Sequence, residues 1–206
     1  ARACVIGEPT DLRPVHAHKG IMMEALKVVG RSGHSSNPAL GVNALDGMHE
    51  VIGALIALRE ELAKTHHDER FKVAEPTINL GRIAGGDSPN RICGQCTLSF
   101  DVRMVPSMKV GTTRAAIERA AKDAIADRDL AMELVTLAEA VPAFATDADG
   151  DLVRASAELT GNTPRSVMFC TEAPFLQQLG LETLVCGAGS IDVAHQPDEY
   201  VELDEL

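Results

Sequence analysis

The sequence has 206 residues, of which 45% are hydrophobic and only 3% aromatic, and its formal net charge is -11. A chain of this size and apolar content can bury the core of one large domain or two small ones. The negative charge, the scarcity of aromatic rings and the lack of a Lys/Arg cluster exclude a nucleic-acid partner. No apolar run approaches the roughly 18 residues that cross a bilayer, so we expect no membrane partner and a cytoplasmic location. Five scattered cysteines, an odd number, suit a reducing compartment.

The chain opens on an apolar run, Ala3 to Ile6, that predicts a strand, and the motif Gly7-Glu8-Pro9-Thr10 follows directly. Glu8 therefore lies at the carboxyl end of a predicted strand, where open α/β sheets place their sites. Because the chain starts without an initiator Met and runs straight into this strand, we expect it to be a fragment of a longer protein.

The next part of the chain predicts the order strand, helix, strand, strand, helix, strand. The strands are predicted at Gly20 to Val29, Thr77 to Ile83, Thr97 to Arg103 and Ala131 to Leu137, and the helices at Val42 to Leu62 and Val110 to Ile125. Apolar residues recur every three or four positions in the helices, whereas the strands alternate. This order is that of the ferredoxin-like (βαββαβ) fold, an antiparallel sheet with two helices on one face.

The two ends of the chain are each too short to fold alone, yet both contain elements of secondary structure. Thr183 to Cys186 predicts a strand, and Asp149 to Gly161 predicts a helix with an acidic start and a glycine stop. We therefore expect a ferredoxin-like domain over residues 15–139, inserted into an α/β domain formed by residues 1–14 and 140–206. The fold class is a combination of α/β and α+β.

Two histidines in polar loops are candidates for chemistry. His195 follows the glycine-rich segment Gly187 to Ser190, which ends a predicted strand. It could be a metal ligand, a general base or a loop histidine with satisfied hydrogen bonds. His34 lies in the segment Gly33 to Pro38, which also fits an ordinary turn with a capping serine.

Two polar residues flank the most regularly alternating strand. Asn90 lies just before it, and Arg103 ends its polar face. The guanidinium of Arg103 could bind a carboxylate through two hydrogen bonds. An ordinary solvated face accounts for the same pattern.

Two further motifs do not predict a site. Cys93 and Cys96 form a C-x-x-C pair, but residues three apart on a strand point to opposite faces, so we expect buried small apolar residues. His16 and His18 share one face of an extended segment without a third ligand nearby in the sequence, so we expect a solvated role or one at a domain junction.

Seven segments, in order, resemble the family of dinuclear-zinc aminoacylases, desuccinylases, carboxypeptidases and acetylornithine deacetylases. The segments are Gly7 to Thr10, His18 to Gly20, Gly33 to Ser36 with Pro38, Gly85 to Asp87 with Asn90 to Ile92, Phe100 to Arg103, Cys170 to Phe175, and Gly187 to Tyr200. Each segment alone is weak evidence for the resemblance. Seven segments in family order over essentially the whole chain are specific evidence for it. The forms Thr171 to Phe175 and Ala194 to Tyr200 are most similar to the acetylornithine deacetylase branch.

The resemblance implies a zinc-binding α/β domain with a ferredoxin-like lid that forms a homodimer, and hydrolysis of a small acylated amino acid by zinc-activated water. In the branch named above, N2-acetyl-L-ornithine is converted to ornithine and acetate in arginine biosynthesis. The resemblance implies that Glu8 ligates one zinc ion and His195 the other, of two per active site, with cobalt as an alternative metal. It also implies that His34 reaches into the partner subunit's site and stabilises the oxyanion of the tetrahedral intermediate.

Further residues are implied to bind the substrate. By resemblance, its carboxylate and acyl group would be held by Lys19, Asn90, Arg103 and Thr171. Glu172 is an additional candidate, because its carboxylate would pair with the side-chain ammonium of acetylornithine.

The family's upstream His, bridging Asp and Glu-Glu pair cannot be placed in this sequence. A catalytic zinc ion takes about three protein ligands, and Glu8 and His195 supply one per ion. We therefore expect this chain alone to bind zinc weakly and not to turn over. Two alternatives stay open: a related deacylase, such as a succinyl-diaminopimelate desuccinylase or a dipeptidase, and a non-catalytic dimerisation module built on the ferredoxin-like domain.

Overall fold

The computed structural model describes residues 2–206 and contains eleven strands and four α-helices in that range. In chain order these are β1 (Ala3–Ile6), β2 (Val15–His18), β3 (Gly20–Val29), β4 (Gly33–His34), α1 (Ala44–Thr65), β5 (Thr77–Gly85), β6 (Arg91–Ile92), β7 (Gln95–Met104), α2 (Val110–Ala124), β8 (Ala131–Val141), β9 (Phe144–Ala145), α3 (Asp151–Thr160), β10 (Arg165–Val167), α4 (Ala173–Gln178) and β11 (Glu182–Val185). None of the helices described combines the length and apolar character that a bilayer crossing requires.

The elements belong to two compact units. The first unit comprises Ala1–Gly20, Asp68–Ala74 and Val141–Leu206, and the second comprises Ile21–His67 and Glu75–Ala140.

The second unit has the ferredoxin-like fold that the sequence predicts. Its four-stranded sheet has the order β5-β7-β3-β8, and α1 packs on α2, β5 and β7. The alternation of β7 buries Leu98, Phe100 and Val102, while the intervening Ser99 and Asp101 remain half-exposed. One face of the sheet therefore lies in the core and the other is open.

A small two-stranded sheet in the second unit joins distant parts of the sequence. Its strands β4 and β6 are antiparallel, with Gly33 paired with Ile92 and His34 paired with Arg91. The pairing places the His34 loop beside Asn90.

The first unit contains a mixed five-stranded sheet of order β1-β11-β2-β10, in which β9 also pairs with β2. β1 is parallel to β11 and β10 is parallel to β2. A small core lies in this unit and consists of Ile6, Val15, Phe144, Ala173 and Val185. Because β1 and β11 are parallel neighbours, the loops that follow them leave the same edge of the sheet.

Candidate functional site

Thr10 connects the loop after β1 to the loop after β11. It is fully buried, and its backbone N–H donates to the Gly187 carbonyl oxygen at 3.2 Å. In return, the Gly187 N–H donates to the Thr10 hydroxyl at 3.1 Å. Two chain segments 177 positions apart are thereby held side by side, and Glu8 lies on one of them.

His195 lies in a strained part of the second of these loops. His195 and Asp198 both have left-handed backbone conformations, with φ of 61° and 62°. Such conformations cost about 1–3 kcal/mol each in residues other than glycine and concentrate at functional sites. The Glu199 carboxylate accepts a hydrogen bond from the His195 N–H at 3.1 Å and so stabilises the turn.

A hollow of about 360 Å³ lies between the two loops of the first unit. It is lined by Gly7, Pro9, Ala188, Gly189, Ser190, Glu199, Tyr200 and Val201. The polar loops therefore enclose a space that a small molecule can enter.

Glu172 and His195 both lie within electrostatic range of the Glu8 carboxyl. Burial raises the pKa of the Glu8 carboxyl, the Glu172 carboxylate raises it further, and His195 opposes both effects. The fold thus gathers two acids and an imidazole from segments that are far apart in the sequence.

Thr171 and Glu172 form the turn that leads into α4. Thr171 is buried and its hydroxyl accepts a hydrogen bond from the Ala173 N–H at 3.1 Å, whereas Glu172 is exposed. The turn therefore presents a carboxylate to solvent on a fixed backbone.

Lys19 and His18, next to each other on the chain, are both fully buried. The Lys19 Nζ lies 5.8 Å from the centre of the Phe71 ring. His18 bonds to the backbone and to Thr171, and His16 is buried as well. Of the two roles expected for these histidines, the solvated one was wrong, because β2 lies inside the sheet between β11 and β10. The other, a role at a domain junction, stays a prediction.

His34 and Asn90 line one shallow hollow of about 300 Å³ in the second unit, together with Ser32, Gly33 and Arg91. The His34 Nδ1 lies 3.0 Å from the Ser36 hydroxyl, and the Asn90 side-chain oxygen accepts a hydrogen bond from Ser88 at 2.6 Å. The exposed His34 ring is therefore held on a loop stabilised by its own polar groups.

Arg103 lies elsewhere in the second unit, near the end of β7. Its Nε donates to the Asp101 carboxylate at 2.7 Å. It lines a separate hollow on the open face of the sheet with Met23 and Leu137, and this hollow shares no residue with the one beside His34. The structure therefore does not group Arg103 with His34 and Asn90.

The C-x-x-C pair is not arranged as a metal site. Cys93 and Cys96 are both buried, and the Cys93 thiol donates to the Gln95 carbonyl. Across residues 2–206, no group of three or more His, Cys, Asp or Glu side chains is placed so that it could hold a metal ion. Glu8 and His195 are thus too few to form a complete metal site by themselves.

The chain is similar in sequence to proteins of known family. Residues 16–129 match the peptidase dimerisation domain of the M20 peptidases. An acetylornithine deacetylase of Vibrio vulnificus (strain CMCP6) is 48% identical over 201 residues, which are 98% of this chain and 53% of that protein. A second, from Aliivibrio fischeri (strain MJ11), is 46% identical over 198 residues, or 96% of this chain and 52% of that protein. The chain spans about half the length of the curated relatives it matches.

Solved structures share the fold at low sequence identity. A tripeptidase from Staphylococcus aureus matches with a TM-score of 0.70 at 18% identity, covering 92% of this chain and 49% of its own. Human carnosine dipeptidase 1 matches with a TM-score of 0.66 at 15% identity, covering 96% of this chain and 55% of its own.

Proposed function

This chain belongs to the M20 peptidase family, and from that premise we propose that the whole protein hydrolyses N2-acetyl-L-ornithine to ornithine and acetate. The 48% identity with an acetylornithine deacetylase over nearly all of this chain carries the proposal. The placement of Glu172 and His195 within electrostatic range of Glu8 supports it, because acidic and imidazole groups can take up and deliver the protons that amide hydrolysis moves. The substrate class is a small acylated amino acid.

The proposed cofactor is zinc, two ions per active site, with cobalt as an alternative. Glu8 would hold one ion and His195 the other, since carboxylate oxygen and imidazole nitrogen are common zinc ligands. The remaining ligands would come from parts of the whole protein that this sequence does not include. When bound, zinc supplies an activated water and polarises the acyl carbonyl.

Glu172 is proposed to select the substrate side chain. Acetylornithine carries an ammonium group at the end of three methylenes, and Glu172 presents an exposed carboxylate within electrostatic range of Glu8. A carboxylate and an ammonium at one site form a charge-assisted hydrogen bond. Glu172 would therefore favour a cationic substrate over a neutral one of the same shape.

Four further residues are proposed to bind the carboxylate and the acyl group of the substrate. Asn90 and Arg103 would supply donors, and Thr171 and Lys19, whose side chains are buried, are the further candidates. Arg103 already holds a carboxylate, that of Asp101, through its Nε. A substrate carboxylate would have to share that guanidinium or displace Asp101.

We propose a homodimer formed through the ferredoxin-like unit, with His34 acting on the site of the other subunit. The match of residues 16–129 to a dimerisation domain supports this assembly. Because Ser36 engages the Nδ1 of His34, we expect Nε2 to donate to the developing oxyanion.

The test is a substrate panel on the purified whole protein. We expect the highest kcat/KM with N2-acetyl-L-ornithine, a lower value with its neutral isostere N-acetyl-L-norleucine, and the lowest with N-succinyl-L,L-diaminopimelate. Chelation should abolish activity, and zinc or cobalt should restore it. A preference for the succinylated substrate would assign the protein to another deacylase, and full activity after complete metal removal would reject the metal proposal.

The proposed cellular role is arginine biosynthesis in the cytoplasm. Ornithine, the product, is the amino acid from which arginine is built. Expression of the whole protein should restore growth without arginine to a bacterium that lacks its own acetylornithine deacetylase, and a Glu8→Gln variant should not.

A further inference from the structure

His18 is hydrogen-bonded at both ring nitrogens although no part of it reaches solvent. Its Nδ1 lies 2.9 Å from the Lys19 carbonyl oxygen. Its Nε2 lies 3.3 Å from the backbone nitrogen of Thr171 and 3.2 Å from the Thr171 hydroxyl. The Phe144 ring covers the imidazole, with 5.3 Å between the ring centres.

These partners fix the protonation state of the ring. A carbonyl oxygen can only accept a hydrogen bond and a backbone N–H can only donate one. The proton therefore sits on Nδ1, and Nε2 offers its lone pair to Thr171. Burial lowers the pKa of His18, against the opposing effects of the Lys19 backbone and Glu172, which agrees with a neutral imidazole.

The hydrogen bonds continue from His18 into the turn before α4. The Thr171 hydroxyl accepts from the Ala173 N–H at 3.1 Å, so its own proton is directed to His18 Nε2. Thr171 and Ala173 are both anchored in this way, and Glu172 lies between them. Of the three residues Thr171 to Ala173, Glu172 alone has an exposed side chain.

We infer that His18 is a positioning residue: its neutral imidazole holds the Thr171–Ala173 turn and thereby fixes the Glu172 carboxylate that selects a cationic substrate. This inference rests on the proposed function for its effect on catalysis. The anchoring of the turn is a property of this chain alone.

Two substitutions of His18 separate positioning from packing. In His18→Asn, the amide nitrogen can still reach the Lys19 carbonyl, but no acceptor reaches Thr171. In His18→Gln, the longer side chain can place its oxygen where Nε2 stood and restore the acceptor for Thr171. Because Gln is also the larger of the two, the exchange at the Thr171 N–H, which reports the acceptor directly, is measured together with the selectivity.

The experiment measures amide hydrogen exchange at Thr171 and Ala173 by NMR, and the ratio of kcat/KM for N2-acetyl-L-ornithine to that for N-acetyl-L-norleucine, in the whole protein. Because the buried Thr171 donors lose their acceptor, we expect exchange in His18→Asn to be on the order of tenfold faster. The kinetic ratio should fall by a similar factor, and His18→Gln should recover both quantities. Val153→Ala, a buried change on α3 outside the core that contains Ala173, should keep the wild-type ratio.

Unchanged exchange in His18→Asn would overturn the inference, and so would an unchanged kinetic ratio or equal ratios in the Asn and Gln variants. If His18→Asn does not fold, Thr171→Val removes the hydroxyl contact from the other side and is held to the same expectations. A wild-type protein that hydrolyses neither substrate would count against the proposed function alone, because the exchange measurement tests the anchoring without substrate.

Discussion

The Cα of Gly187 lies so close to Glu8 that a methyl group built on it would stand 2.7 Å from the Glu8 carbonyl oxygen. The contact is with backbone, which cannot rotate away as a flexible side chain can. Since Thr10 ties the same two loops together, the loop that carries Glu8 has little room to move. The position of Glu8, a proposed metal ligand, therefore depends on the absence of a side chain at residue 187.

Gly187→Ala should move the Glu8 loop. Overpacking of this kind costs about 1–3 kcal/mol, and we expect the zinc affinity and kcat/KM of the whole protein to fall at least about tenfold, since the proposed ligand is displaced. Gly7→Ala is the matched control, because a methyl group there meets nothing within 4 Å. Zinc titration and urea unfolding of the two variants provide the measurement, and equal behaviour would show that the close approach at residue 187 does not matter.

Arg114 compensates a buried carboxylate in the ferredoxin-like unit. The Glu24 side chain is 1% exposed and Arg114 is 36% exposed, with 3.1 Å between Nη1 and Oε1. Burial raises the pKa of Glu24, while Arg114 and the Thr136 hydroxyl lower it. A folded-state pKa above the unfolded value means that the contribution of Glu24 to stability is present at low pH and is lost as pH rises through the folded pKa.

Arg114→Met should therefore destabilise the protein more at pH 7.5 than at pH 4.5. Loss of the arginine raises the Glu24 pKa further and leaves an ionised buried carboxylate at neutral pH. We expect a loss of about 2 kcal/mol there, less than the roughly 3–5 kcal/mol of a fully buried pair, because Arg114 is partly screened by solvent. Urea unfolding at the two pH values measures the difference, and the double variant with Glu24→Gln should show no pH dependence of the penalty. A penalty that is the same at both pH values would refute the account.

Glu172→Gln should weaken the preference for a cationic substrate while leaving the turn in place. The amide keeps the size of the carboxylate but cannot form the ion pair, so the kcat/KM ratio of N2-acetyl-L-ornithine to N-acetyl-L-norleucine should fall by about tenfold. Glu182→Gln is a suitable control, because Glu182 accepts a hydrogen bond from the Leu152 N–H and stabilises α3. If the ratio drops equally in both variants, Glu172 does not determine the preference for a cationic substrate.

The long elements of the fold could be predicted from sequence because their periodicity is local. The strand predicted from Gly20 to Val29 has the observed bounds of β3, and the helix predicted from Val110 ends within one residue of α2. β2, β9 and β10 have only two to four residues each and were not predicted. Their formation depends on pairing with distant partners, which residue patterns do not encode.

The candidate site likewise contains residues that a local sequence pattern indicates and residues whose environment depends on distant parts of the chain. Glu8 and His195 stand out in sequence, because each lies in a polar loop after a strand-like run. His18 does not stand out, because its environment comes from Thr171, 153 residues further along the chain. The sequence predicted a solvated role or one at a domain junction, and the pairing of β2 on both sides accounts for its burial.

Mixing two inactive variants can test whether His34 acts on the other subunit. His34→Ala removes the proposed oxyanion donor, and Glu8→Gln removes a proposed metal ligand. In a mixed dimer, the subunit with an intact Glu8 would receive an intact His34 from its partner, so one of its two sites would be complete. Random mixing makes half of the dimers mixed, so co-refolded or co-expressed variants should recover about a quarter of wild-type activity.

The two variants purified separately and combined without subunit exchange are the control and should remain inactive. If His34 acts within its own subunit, each site of the mixed dimer lacks one group, and no recovery is expected at any mixing ratio. Because the recovered activity depends on the fraction of mixed dimers, it should follow the product of the two variant fractions, with a maximum at equal amounts. A linear dependence on either fraction would instead indicate residual activity of a single variant and would exclude action across the dimer.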